Sequence, residues 1–199
     1  LSLAGYNKFT DHIFSGDGRD KIYLTVGNDA LFLDDHYSAS HSSIYSESSE
    51  FGLPFGVLPR LMACEEIYGM GGSDILDFTS TKISASELLL DGGEGDDILW
   101  SGAQNDVLIG GNGNDVLNGG PGDDVMSGGL GADQFKFVGL FGNDTITDWE
   151  IGADNLLLYN LSASDINFYQ NSILYGSENS IIFSNLSEEE VLSISIDFI

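Results

Sequence analysis

Between Gly92 and Lys136 an aspartate recurs at every ninth residue, each time just after a glycine-rich stretch. Written in nines the segment reads GGEGDDILW, SGAQNDVLI, GGNGNDVLN, GGPGDDVMS and GGLGADQFK, with Asp97, Asp106, Asp115, Asp124 and Asp133 at the sixth position. Carboxylates at this spacing, beside glycines that leave backbone carbonyls uncovered, form a set of hard oxygen donors without His or Cys. That donor set suits Ca2+ better than zinc or copper. The candidate metal-binding turns therefore comprise these five aspartates with Gly92, Gly110, Gly111, Asn112, Gly113, Gly119 and Gly128.

Position eight tells what holds the turns in place. It is always large and apolar: Leu99, Leu108, Leu117, Met126 and Phe135. The short apolar run after each turn reads as a strand, so the chain alternates turn and strand and coils. One buried side chain per strand is too little for a repeat to stand alone, and successive coils must stack into a continuous core.

These repeats resemble the RTX calcium-binding family, whose pattern is G-G-x-G-x-D-x-U-x. The resemblance implies an all-β fold, a parallel β-roll in which two nines complete a coil and Ca2+ sits between a turn and the one two repeats later. By position, the bridging pairs are Asp97 with Asp115, Asp106 with Asp124, and Asp115 with Asp133. The repeat at 101–109 departs from the pattern, with Ser101 and Gln104 in place of glycines.

A worn form of the register precedes the array, in YNKFTDHIF, SGDGRDKIY and LTVGNDALF, where Asp11, Asp20 and Asp29 hold position six. An Asp11–Asp29 metal site and a coil that packs without metal are both open readings. Residues 33–68 break the pattern, first rich in Ser and Tyr, then apolar with Pro54 and Pro59, and read as a lobe inserted into the roll. Asp74 and Asp77 mark the return of a turn and strand. Asp74 lies off the nine-residue phase of Asp97, so the phase slips between them. The expected organisation is a modified roll at 1–91, the regular array at 92–136, and a C-terminal β cap with an export region at 137–199. The cap covers the exposed end that an open stack presents. FGNDTITDW resembles the post-repeat segment of RTX proteins, which implies that Asp144 and Asp148 help to bind the last ion, and SEEEVLSISIDFI resembles the family's type I export region.

Charge narrows the partners. Lys+Arg 6 against Asp+Glu 32 gives a net −26, which repels phosphate backbones and anionic lipid. Nucleic acid and membrane insertion are thus excluded as expected partners. Hydrophobic residues at 42% and aromatics at 11% set the chain apart from disordered acidic tails, so it can fold once its repulsion is cancelled. Cys64 is the lone cysteine and supports neither a disulfide framework nor a thiolate zinc site. His36 and His41 lack a metal-ligand spacing, and Arg60 reads as an ion-pair partner or a hook for a ligand carboxylate. No HExxH, GxSxG or phosphate-loop context is present, and the chain is read as non-enzymatic.

The arrangement of roll, inserted lobe and array also resembles the peptide-binding domains of large bacterial RTX adhesins. That resemblance implies a secreted module, monomeric within a larger surface polypeptide, in which a bound Ca2+ helps to capture a peptide or protein C-terminus on another cell. Asp34, Asp35, Tyr37, Tyr45, Glu66, Asp77 and Trp100 are the expected ligand-binding residues. Asp34 and Asp35 alternatively bind a further ion or line a solvated loop. The competing reading is a folding and export module of a type I-secreted toxin or hydrolase with no pocket.

Overall fold

The computed structural model describes residues 7–8, 13–14, 21–24, 26–32, 61–62, 66–79 and 87–199. Its N-terminal strands are β1 (Asn7–Lys8), β2 (Ile13–Phe14), β3 (Lys21–Tyr23), β4 (Asp29–Phe32), β5 (Leu61–Met62), β6 (Glu66–Tyr68) and β7 (Ile75–Asp77). The regular array supplies β8 (Leu89–Glu94), β9 (Ile98–Trp100), β10 (Val107–Asn112), β11 (Val116–Asn118), β12 (Val125–Leu130) and β13 (Gln134–Val138). After it come β14 (Asn143–Ile146), β15 (Asn155–Tyr159), β16 (Ile166–Tyr169), β17 (Ser172–Tyr175), β18 (Asn179–Phe183), a one-turn helix α1 (Glu188–Val191) and β19 (Ile196–Phe198).

Within the array, consecutive strands go to opposite sheets. One long sheet runs β1-β4-β7-β9-β11-β13-β15-β19, a second runs β3-β6-β8-β10-β12-β14-β18 and is extended by β17 and β16, and β2 and β5 pair in a two-stranded sheet of their own. Pairing along the two long sheets is parallel until β17 and β16, which add antiparallel at the end. This is a parallel β-roll. In the array Leu108 pairs with Leu90 and Met126, and Leu117 with Leu99 and Phe135, so one coil is 18 residues.

The coil length explains why position eight is apolar. Leu90, Leu99, Leu108, Leu117, Met126 and Phe135 are all fully buried and stack in register between the sheets. A fully buried side chain of this size stabilises by about 2 kcal/mol. That is less than the entropy lost in ordering nine residues, so stability arises from stacking and from whatever the turns bind. At the C-terminal end the core turns aromatic: Trp149 lies 5.7 Å from Phe135 and 5.3 Å from Phe183.

One boundary differs from that read in the sequence. Glu66–Tyr68 belongs to the roll and not to the lobe: Ile67 is fully buried, in register with Ile22 and Leu90. The excursion therefore closes before Glu66, and the adjacent coils are separated there by 45 residues in place of 18. The phase slip expected between Asp74 and Asp97 is present: 23 residues separate them, and pairing of β7 with β9 and of β6 with β8 absorbs the slip outside the strands. The C-terminal β cap also contains a short helix. Ser187 and Glu190 form a capping box that starts α1, whose Val191 is fully buried, and only Ile196–Phe198 pairs with β15.

Candidate metal centre

Position six immediately precedes a strand, so strand register stacks the aspartates into two columns, one along each edge of the roll. The first holds Asp29, Asp74, Asp97, Asp115, Asp133 and Asp154. In each step a carboxylate Oδ1 accepts the backbone N–H of the aspartate one coil earlier: Asp115 from Asp97 at 2.8 Å and Asp133 from Asp115 at 2.9 Å. The same bond joins Asp29 to Asp74 and Asp74 to Asp97, both at 2.6 Å, and Asp133 to Asp154 at 3.1 Å. The second column holds Asp106, Asp124 and Asp144, which accept from Leu88 at 2.8 Å, Asp106 at 2.7 Å and Asp124 at 2.9 Å. The pairs expected from the sequence, Asp97 with Asp115, Asp106 with Asp124 and Asp115 with Asp133, are thus neighbouring rungs.

The second oxygen of each carboxylate is what makes these turns a candidate centre. Oδ2 of Asp74, Asp97, Asp115, Asp124 and Asp133 is buried and accepts no hydrogen bond. Burying a carboxylate oxygen without a partner is costly. The loss of water pushes Asp97, Asp124 and Asp144 up to about 8 from 3.8, Asp74 and Asp115 to about 7, and Asp133 to about 6. Donated backbone N–H groups oppose this rise, while neighbouring carboxylates add to it in each of these turns. Burial also raises Asp106 and Asp154.

Each lone Oδ2 faces the first glycine of its own turn. A Cβ on Gly69, Gly92, Gly110, Gly119 or Gly128 would strike the carboxylate of Asp74, Asp97, Asp115, Asp124 or Asp133 respectively. At Gly92 and Gly110 it would also meet the carbonyl oxygen of the glycine one coil later, Gly110 O at 2.7 Å and Gly128 O at 2.5 Å. Glycine therefore keeps open a cradle shared by a carboxylate and a backbone carbonyl. Among the described residues no three His, Cys, Asp or Glu side chains converge, so any centre here is built from carboxylate and carbonyl oxygens together. This donor set fits Ca2+, which takes backbone carbonyls readily.

The second glycine of the turn serves another purpose. Gly111 has φ +113 and lies against the Gly93 carbonyl, so it packs coil on coil and leaves the cradle to Gly110. Gly113 donates its N–H to the Leu130 carbonyl, and Asn112 accepts through its carbonyl from Gly95 at 2.7 Å, with its side chain exposed.

Sequence reading missed the neighbouring position five. There the bond runs in the opposite direction, from the later coil to the earlier. Asn114 N donates to Asp96 Oδ1 at 2.8 Å, Ala132 N to Asn114 Oδ1 at 3.0 Å, and on the other edge Asp123 N to Asn105 Oδ1 at 3.0 Å and Asn143 N to Asp123 Oδ1 at 2.9 Å. Successive peptide N–H groups in an extended chain point opposite ways, and a short Asx side chain satisfies each. Asp154 was missed as well, because it follows Asp133 by 21 residues.

Asp144 takes its place at the end of the second column. Asp148 is bound differently: Oδ1 accepts from Gly128 N at 3.0 Å, and Oδ2 from Gly129 N at 2.9 Å and the Ser127 hydroxyl at 2.5 Å. Both its oxygens are engaged by the preceding turn. At the far end β1 sets Asn7 beside Asp29, while Asp11, the residue two nines before Asp29, lies outside the described residues. Asp20, Asp34, Asp35, Tyr37 and Tyr45 lie outside them too, as do Arg60 and Cys64.

The three remaining ligand-binding candidates fall on two sheets. Asp77 and Trp100 are register partners on β7 and β9, whereas Glu66 is on β6. Glu66 binds Lys21 Nζ at 2.6 Å and accepts the Tyr68 hydroxyl at 2.8 Å. Asp77 accepts from the backbone and hydroxyl of Thr79 at 3.1 and 2.7 Å. The Lys136 ammonium, a cation the sequence reading passed over, sits 4.7 Å from the Trp100 ring centre and 4.6 Å from that of Tyr159.

A family model for the RTX calcium-binding nonapeptide repeat (4 copies) matches residues 7–35, 89–108 and 100–135. No curated protein matches the chain. The matched segments take in β4, β8 to β12 and all five aspartates from Asp97 to Asp133. The stacked nines of this chain belong to the RTX calcium-binding repeat family, and Ca2+ is the ion their turns are built for.

Proposed function

We propose that the chain is an extracellular module that remains open where calcium is scarce and folds where it is abundant, then offers the segment inserted between β4 and β6 to a peptide or protein C-terminus on another cell. One observation carries the calcium half of this reading. Five buried carboxylate oxygens, in register along the roll, lack any donor among the described residues. Bound in these turns, calcium supplies the positive charge that six Lys and Arg side chains cannot provide against 32 carboxylates. Asp74, Asp97, Asp115, Asp124 and Asp133 would hold it, with turn carbonyls such as those of Gly110 and Gly128.

The binding half is supported by the length of the excursion, 45 residues where a coil needs 18, since solenoids place insertions on one face, where binding surfaces commonly lie. The reading involves no catalytic step. A structural folding and export module is the second reading, and it is favoured by Glu66, whose carboxylate is tied to Lys21 and lies on a different sheet from Asp77 and Trp100. Titrating the calcium-loaded protein with short peptides carrying free or amidated C-termini separates the two. Binding that amidation abolishes supports ligand capture, and absence of binding to any peptide supports the structural module.

A further inference from the structure

Every turn with a lone Oδ2 begins with glycine, and the turn at 101–106 does not. Its first residue is Ser101, which is 1% exposed and fills the space that glycine leaves empty in its neighbours. The Ser101 hydroxyl donates to the Gly119 carbonyl at 2.7 Å. Gly119 O corresponds by register to Gly110 O and Gly128 O, the carbonyls that face the open cradles. Within the repeats Asp106 has both oxygens engaged, Oδ1 accepting from Leu88 N at 2.8 Å and Oδ2 from Gly102 N at 3.3 Å, as Asp154 does in the cap, where it accepts from Asp133 N and Glu150 N.

We infer that the turn at 101–106 closes without calcium, with the Ser101 hydroxyl in the place an ion takes in the turns around it. The inference rests on reading those other turns as calcium sites, and it removes Asp106 from the set of ligands that the repeat pattern assigns. The turn's own chemistry supports it: a hydroxyl satisfies the carbonyl, a backbone N–H satisfies the carboxylate, and no lone oxygen is left to attract a cation. The consequence is an asymmetric roll. The edge that carries Asp74, Asp97, Asp115 and Asp133 is metal-dependent from Asp74 to Asp133, whereas the opposite edge has a metal-free stitch between the coils of β9 and β11.

Calcium stoichiometry, measured by equilibrium dialysis of the full chain with atomic absorption, tests this. Ser101→Gly, made alone and together with Gln104→Gly to restore the glycine pattern, is expected to bind one ion more than the parent. Ser101→Ala keeps the cradle filled and is expected to gain none. Asp106→Asn is expected to bind as many ions as the parent, in contrast to Asp115→Asn, which loses at least one. Loss of an ion on Asp106→Asn, or no gain in either glycine variant while the parent binds calcium, overturns this inference alone. A parent chain that binds no calcium overturns it together with the proposed function.

Discussion

A single carboxylate in these turns does two jobs with its two oxygens. Oδ1 of Asp115 ties its turn to the coil before, and Oδ2 is left lone inside the cradle of Gly110. Asp115→Asn keeps an acceptor for the backbone bond and removes the charge. At calcium concentrations about 100-fold above Kd each occupied site adds ~2.7 kcal/mol, so this variant is expected to lose stability of that order in saturating calcium, as read by urea denaturation. Protons compete for the same oxygens. The carboxyls titrate near 3.8 when free and at about 6 to 8 in the metal-free roll. The metal-free roll therefore binds more protons than the unfolded chain across that window, and its stability falls as pH rises from about 4 to 8. Calcium affinity moves the opposite way and weakens as pH drops from about 8 to 6, which calcium titrations followed by tryptophan fluorescence would show. Position six is legible because one residue type repeats without exception. Position five escapes notice because Asp, Asn, Ser and Ala alternate there and resemble ordinary turn composition, although Asp96, Asn114 and Asp123 form continuous bonds.

At the scale of the element, the two glycines that open each turn respond to substitution differently. Gly111→Ala places a side chain at φ +113 against the Gly93 carbonyl, so coil packing itself is lost and the fold is expected to weaken even in saturating calcium. Gly110→Ala fills the cradle at Asp115 and is expected to reduce calcium uptake first, with circular dichroism in saturating calcium closer to the parent than that of Gly111→Ala. The strands of the array were legible from periodicity, since position eight is apolar in every nine, while the 18-residue pairing is what the family resemblance implied. The ends of the lobe were not. Ile67 carries the core position of its coil, but Glu66–Tyr68 follows an apolar, proline-containing run with no glycine pattern before it, and only pairing with β3 and β8 identifies it. Helix α1 hid behind the apolar alternation of the last nine residues. Its capping box, Ser187 with Glu190, is the sequence signal that was available.

The whole molecule is long-range in its contacts and strongly single-signed in charge, with −26 on a chain whose coils each bury little. Parallel pairing between residues 18 or more apart gives no local stability, so the stack forms cooperatively or not at all. Hydrophobic burial supplies the column of Leu, Met and Phe side chains, while carboxylate repulsion along both edges opposes assembly. Concentrated NaCl screens that repulsion without filling the cradles, and is expected to leave the chain short of its native strand content. Far-ultraviolet circular dichroism of the intact chain, recorded in chelator and then in millimolar calcium, tests the central claim most directly. The account predicts a largely unfolded spectrum in chelator and a β-rich one after calcium is added. The same β-rich spectrum in both conditions would contradict it.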